Sequence, residues 1–207
     1  AASILKGMTV HVLLTRVYPV KTGDTILIHS AAGGVGIIAC QWAKALGATV
    51  IGTVGSEAKA KLAKENGCDY PILLRNEDVA ARVKEITGGA KLPVVYDSVG
   101  KDTLASSLDC LRPRGLFVSF GNSSGPTGPM DPFVLLQKGS LFMTRPSLQH
   151  YVISQEELQD AASALFAMIT SNKVKIAIGQ RFKLAEAQKA HEALHARATT
   201  GATVLIP

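Results

Sequence analysis

The chain has 207 residues, with 22 Lys and Arg against 16 Asp and Glu, and a formal net charge of +6. Apolar residues make up 47% and charged residues 18%, which supplies a sizeable core and excludes a disordered chain. No apolar run approaches the roughly 18 residues of a membrane span, and no signal-type N-terminus is visible. Cys40, Cys68 and Cys110 are too scattered for a disulfide framework or a local metal cluster. These features predict a globular, cytoplasmic protein of one domain or one and a half.

The sequence opens without Met in an apolar, helix-like segment, residues 4–18, and closes on a strand-like run, residues 202–206, that needs a partner strand. Ends of this kind are expected to be tied into a longer chain. Residues 24–29 form a β-branched strand and run directly into Ser30-Ala31-Ala32-Gly33-Gly34-Val35-Gly36. A helical pattern follows through Ile37, Cys40, Ala43 and Leu46, with Gly47 as its stop. Residues 49–54 are the next strand, Ser56 caps a helix ending before Gly67, and a third strand precedes Asn76, which is expected to cap a helix ending at Gly88-Gly89. Residues 92–97 read as a strand, 102–111 as a helix, 116–120 as a strand and 140–144 as a sixth. Strands alternating with helices of about ten residues imply βαβ crossovers and a doubly wound parallel α/β sheet. Between them, residues 121–132 form a Gly-, Pro- and Ser-rich loop at the carboxyl end of a strand, where open α/β sheets bind ligands. The pattern then changes to a long amphipathic helix (154–171), a strand near Ile176, a helix (185–197) and the final strand.

Ala31-x-Gly33-x-x-Gly36 sits after a strand and opens a helix, the context that gives a glycine motif its meaning. Gly33 lets backbone approach a pyrophosphate, Gly36 lets the helix pack closely on the strand, and the helix N-terminus faces the phosphates. Ala31 stands where the first Gly is usual, so the turn must be one that an Ala can adopt. The tip of the second strand, Gly52-Thr53-Val54-Gly55-Ser56, lacks the acid that binds an NAD ribose, and Lys59 and Lys61 follow; this favours NADP(H). Lys59 also reads as a solvated helix lysine, and Glu57 would repel a phosphate unless it points to solvent.

The segments Gln41-Trp42-Ala43-Lys44-Ala45-Leu46-Gly47-Ala48, Val95-Tyr96-Asp97-Ser98-Val99-Gly100, Phe120-Gly121-Asn122-Ser123-Ser124-Gly125 and Thr144-Arg145-Pro146-Ser147-Leu148, with the turn at Ala31–Gly36, carry a resemblance. The chain resembles NADPH:quinone oxidoreductases of the zeta-crystallin type, in the zinc-independent branch of the medium-chain dehydrogenase/reductases. The resemblance runs over essentially the whole chain. It implies a Rossmann domain with a six-stranded sheet over residues 1–146. Residues 147–207 would then be a helix-strand-helix-strand segment returning to an N-terminal GroES-like domain that these residues do not include.

It further implies hydride transfer from NADPH to a quinone in a cleft between two domains, and a homodimer. Gly34 and Val35 would contact the pyrophosphate; Gly55, Ser56, Lys59 and Arg197 would contact the 2′-phosphate. Val99, Phe120, Gly121, Asn122, Ser123, Pro146, Ser147 and Leu148 would line the nicotinamide side, with Thr9 reaching it from the first helix. Leu74 stands where relatives often carry a Tyr near the adenosine phosphate. Arg197 also reads as a helix C-terminal cation, and Asn122 as a turn residue. Absence of a metal is implied by the branch alone, since zinc ligands would lie outside these residues.

No catalytic acid or base is called for, because a quinol takes its proton from water. His191 and His195, an i, i+4 pair, read as a solvated helix face. Reduction of an activated C=C bond shares every motif. A structural or RNA-binding module is a third reading, which the dispersed basic residues argue against. Residues 1–207 alone are expected to turn over quinones poorly.

Overall fold

The computed structural model describes residues 2–196 and 198–207. Apolar spacing through Met8, Val10, Leu13 and Leu14 builds the opening helical segment, which is α1 (Ile4–His11) continued by a π-helical turn, Val12–Val17. The buried hydroxyl of Tyr96 donates to the carbonyls of Leu13 (3.2 Å) and Tyr18 (3.4 Å), which pins the widened turn to the sheet.

Six strands follow: β1 (Thr25–Ile28), β2 (Thr49–Val54), β3 (Tyr70–Leu73), β4 (Leu92–Asp97), β5 (Leu111–Ser119) and β6 (Phe142–Thr144). They pair in parallel in the order β3-β2-β1-β4-β5-β6, the doubly wound arrangement expected from the alternating pattern. The crossovers carry α2 (Gly34–Ala45), α3 (Glu57–Glu65), α4 (Val79–Ile86), α5 (Leu104–Cys110) and the short α6 (Phe133–Gln137). Near-continuous apolar strands are buried on both faces: Ile26, Ile28 and Val50 belong to one core, Leu27, Ile51 and Val95 to the other.

Cap chemistry explains several helix ends. Gly47, at φ +85°, follows α2 as expected. Ser56 caps α3 by accepting from the Lys59 N–H. The cap of α4 is Asp78, whose carboxylate accepts from the Ala81 N–H at 2.7 Å, and not Asn76. Asn76 instead donates its own N–H to Leu73 O in the turn leaving β3, two residues too early to reach the helix.

Beyond the six-stranded sheet, α7 (Gln155–Thr170) carries a capping box from Ser154 and Glu157. It packs back on α1, where Leu165 fills the space left by Gly7; a Cβ at Gly7 would lie 2.3 Å from Leu165 Cδ1. Ala161, Leu165 and Val174 therefore join the core of the first six strands. Gln41 of α2 holds the segment after α7 by bonding both the N–H (2.7 Å) and the carbonyl (3.0 Å) of Lys175. The expected strand near Ile176 begins slightly later, as β7 (Ile178–Lys183). With α8 (Ala187–His195) and β8 (Ala202–Ile206) it makes a two-stranded parallel sheet, so the final strand finds its partner in β7.

Candidate functional site

The strand order reverses between β1 and β4, and the chain leaves these strands in opposite directions, opening a crevice at their carboxyl ends. A cavity of ≈ 590 Å³ lies there. Its floor is Ser30, Ala32 and Gly33 after β1, and one side is Thr53, Val54, Gly55, Lys59 and Leu74 from the β2 and β3 ends. Val99 and Ser123 close the β4 and β5 side, and His191, Leu194, His195 and Thr199 form the wall from α8 and the loop after it. Lys59 is the lysine of this lining, and none of its described residues is Asp or Glu.

The glycine turn has the close approaches its motif requires. A Cβ on Gly36 would lie 2.3 Å from the Ser30 carbonyl oxygen, so only Gly lets α2 sit this close to the β1 exit. A Cβ on Gly34 would meet the Gly201 carbonyl and the Lys6 ammonium, both at 2.7 Å. Burial lowers the pKa of Lys6. Gly33 bridges to Gly201, and Gly201 N–H donates to Ala32 O at 3.3 Å, so the start of β8 is stitched to the turn. Ala31 is fully buried, while the left-handed backbone falls on Ser30, at φ +56°. No side chain among the described residues caps α2, in contrast to α3, α4 and α7, which leaves its first N–H groups for an anion.

Of the other residues singled out in the sequence, Gly55, Lys59, Val99 and Ser123 line the cavity together with Gly33. Ser56 is occupied as the α3 cap, beside them. Glu57 is exposed and outside the lining. Phe120, Gly121 and Asn122 continue the β5 exit, and Pro146, Ser147 and Leu148 continue the β6 exit. Arg145 ties these two exits together, with its Nη1 at 3.1 Å from Ser119 O and 2.9 Å from Gly121 O. Gly121 is pressed against the β4 exit, where a Cβ would come 2.6 Å from Ser98 O. Val35 packs on the core. Thr9 lies outside the lining, and its hydroxyl donates to Leu5 O at 2.7 Å. Arg197 lies outside the described residues.

His191 and His195 correct the expectation of a purely solvated face. Both are exposed, yet they stand on the cavity wall. The i, i+4 spacing with Leu194 between them was the available signal. Ser30, Ala32, Thr53 and Val54 were also missed as lining residues. They sit at the end of β2 or in the turn after β1, and only the geometry of the sheet brings them to the cleft.

Comparison with known proteins places the chain in a family. The zinc-binding dehydrogenase family profile matches residues 34–170, and the chain belongs to that family. It is 57% identical to a quinone oxidoreductase of Salmonella typhimurium and 46% identical to a 2-haloacrylate reductase of a Burkholderia species, covering 64% and 62% of those proteins. The crystal structure of Escherichia coli quinone oxidoreductase complexed with NADPH superposes on all of the chain with a TM-score of 0.98 at 54% identity, over 64% of its own length. The chain thus spans about two thirds, 64%, of the first of these relatives. Among the described residues no group of three or more His, Cys, Asp or Glu is arranged to hold a metal ion. Cys40, Cys68 and Cys110 are free and buried apart from the cavity, so these residues do not fit a zinc site.

Proposed function

We propose that the chain binds NADP(H) across the cavity and supplies the cofactor half of an NADPH:quinone oxidoreductase. The observation that carries this reading is the cavity itself, which lies at the β1/β4 switch point above an uncapped helix start, with Lys59 on its wall and no carboxylate among its described lining residues. Similarity to quinone oxidoreductases, one of them solved with NADPH, supports the same cofactor.

The residues fit the cofactor in three parts. Gly33 by close backbone approach, and Gly34, Val35 and Gly36 by the N–H groups at the start of α2, hold the pyrophosphate, with Ala31 beneath them. Gly55, Ser56, Lys59 and Arg197 hold the 2′-phosphate, for which a cation and a hydroxyl are suitable partners. Val99 and the β5 and β6 exits (Phe120 to Ser123, Pro146 to Leu148), with Thr9 from α1, shape the nicotinamide side. NADPH, when bound, supplies the hydride. The task of the chain's own residues is to fix the ring and exclude water, so that proximity does most of the catalytic work.

Sheet membership supports a boundary at 146/147: the six-stranded sheet is complete at Thr144, and the two-stranded sheet lies wholly after it. The exposed edge strand β6, with Phe142 61% exposed, supports a homodimer through that edge. Free cysteines support a cytoplasmic, reducing setting, and no described helix is long and apolar enough to cross a membrane.

The second reading is reduction of an activated C=C bond, favoured by the 46% identity to 2-haloacrylate reductase. NADPH oxidation measured with benzoquinone and, separately, with a 2-haloacrylate distinguishes them. Slow quinone-dependent oxidation is the expected result, since residues 1–207 alone should turn over quinones poorly. Oxidation with the alkene alone would establish the second reading, and NADPH binding without turnover of either would leave a binding module.

A further inference from the structure

Beneath the glycine turn, side chains from β1, β2, β4 and α5 form a fully buried polar chain. Asp97, at the end of β4, accepts at Oδ1 from the N–H groups of Val99 (2.7 Å) and Gly100 (3.0 Å). At Oδ2 it accepts from the hydroxyls of Thr103 (2.7 Å) and Ser107 (2.8 Å). Ser107 has one hydroxyl proton, and Asp97 takes it. Ser107 Oγ is then left to accept from His29 Nε2, at 2.9 Å, which puts the imidazole proton on Nε2. Nδ1 becomes the acceptor and takes the hydroxyl proton of Thr53, also at 2.9 Å. Thr53 Oγ1 in turn accepts the backbone N–H of Ser30 at 3.3 Å. Every hydrogen bond runs in one direction, from the Ser30 backbone toward the Asp97 carboxylate.

Ser30 is where this polarity matters. Its φ of +56° is a left-handed conformation that costs a residue with a Cβ about 1–2 kcal/mol. It lines the cavity, and its carbonyl accepts the Gly33 N–H at 2.8 Å, closing the turn that leads into α2. His29, Thr53, Asp97 and Ser107 are each no more than 1% exposed, so water offers none of them an alternative partner.

We propose that His29 is a positioning residue for the nucleotide cradle: as a neutral imidazole protonated on Nε2, it passes the polarity of Asp97 to the Thr53 hydroxyl and so holds Ser30 in its left-handed turn. With the proton on Nδ1 instead, the bare Nε2 would face Ser107 Oγ, whose one proton Asp97 already takes, and the chain would break there. Burial keeps the ring neutral, lowering the His29 pKa despite the Asp97 carboxylate 3.9 Å from Nε2. The consequence for binding rests on the NADP(H) reading, whereas the hydrogen-bond chain does not.

The test combines a spectroscopic and a binding measurement on the chain. Nitrogen-15 spectra of histidine-labelled protein are expected to show His29 with a protonated Nε2 and a bare Nδ1; the opposite tautomer would overturn the proposal. Thr53→Val, which keeps the shape and removes the hydroxyl, is expected to weaken NADPH binding by the folded protein about tenfold, and Thr53→Ser to stay within about twofold of the unsubstituted chain. A Thr53→Val protein that unfolds more easily yet binds NADPH with unchanged affinity would show a merely structural role and overturn the proposal. Failure of the unsubstituted chain itself to bind NADPH would instead overturn the cofactor reading, and the tautomer measurement separates the two failures.

Discussion

The methyl group of Ala31 occupies the volume that a side chain at position 52 would need. A Cβ on Gly52 would lie 2.6 Å from Ala31 Cβ and 2.7 Å from Cys68 Sγ. The glycine expected first in the turn has in effect moved to the neighbouring strand: Ala31 is fully buried, and β2 makes room for it. Gly52→Ala is therefore expected to destabilise the fold by about 1–3 kcal/mol through overpacking. Adding Ala31→Gly should recover at least half of the loss, because the Cys68 thiol can swing aside while the Ala31 methyl cannot. Urea unfolding of the two variants checks the pairing; equal instability of single and double variants would refute it.

The cavity wall predicts the choice of cofactor. With Lys59 on it and no carboxylate among its described lining residues, NADPH is expected to bind at least about tenfold more tightly than NADH, a difference of about 1.4 kcal/mol. Lys59→Glu should weaken NADPH and leave NADH nearly unchanged. Calorimetry with both nucleotides decides it: equal affinities would refute the 2′-phosphate assignment, and an unchanged ratio in the variant would remove Lys59 from the site.

Stability should fall on both sides of neutrality, for different reasons. Burial lowers the His29 pKa below 6.5, so the unfolded chain takes up a proton at a pH where the folded chain does not. Its stabilising contribution is complete above pH 6.5 and is lost as pH falls through the folded value; His11, also lowered by burial, acts in the same sense. Cys110 works in reverse. Burial and the neighbouring Asp109 raise its thiol from 9.0 to about 12, so its contribution is complete below pH 9.0 and is lost as pH rises toward 12. Unfolding free energies from urea titrations at about pH 5, 7 and 10 are expected to peak at the middle value. A rise in stability from pH 7 to pH 5 would contradict the buried, neutral His29.

The division between what the sequence revealed and what it hid follows physical lines. Strand and helix alternation, the glycine turn, the Ser56 cap and the Gly47 stop are local signals, carried by propensity and spacing over a few residues. The doubly wound parallel sheet follows from crossover rules once that alternation is read, although the order of its strands does not. What remained hidden depends on contacts between distant residues. Gly201 bridges to Gly33 across more than 160 positions of chain, a contact that no local spacing around His191 and His195 signals. The α4 cap failed on a shorter scale: Asn76 and Asp78 are both good caps, and the turn leaving β3 determines which one meets the helix.

Arg145 joins two loops that the family resemblance puts on the same side of the cofactor. Its Nη1 reaches Ser119 O, Ser119 Oγ (3.2 Å) and Gly121 O, so one guanidinium from the β6 exit holds the β5 exit in place. Hydrogen bonds from a charged donor contribute about 1.5–3 kcal/mol, and removing this one leaves the Ser119 and Gly121 carbonyls to find water. Arg145→Ala is expected to speed amide hydrogen exchange across residues 119–123 by about tenfold or more, as local opening becomes easier by about 1.4 kcal/mol. Exchange in α2 should stay unchanged, since the hydrogen bonds of Arg145 go to Ser119 and Gly121. On the proposed reading, in which these loops shape the nicotinamide side and not the phosphate cradle, the NADPH affinity of the variant should fall less than its slow rate of quinone reduction. Unchanged exchange at residues 119–123 would show that Gly121, packed against Ser98, holds the loop without the arginine.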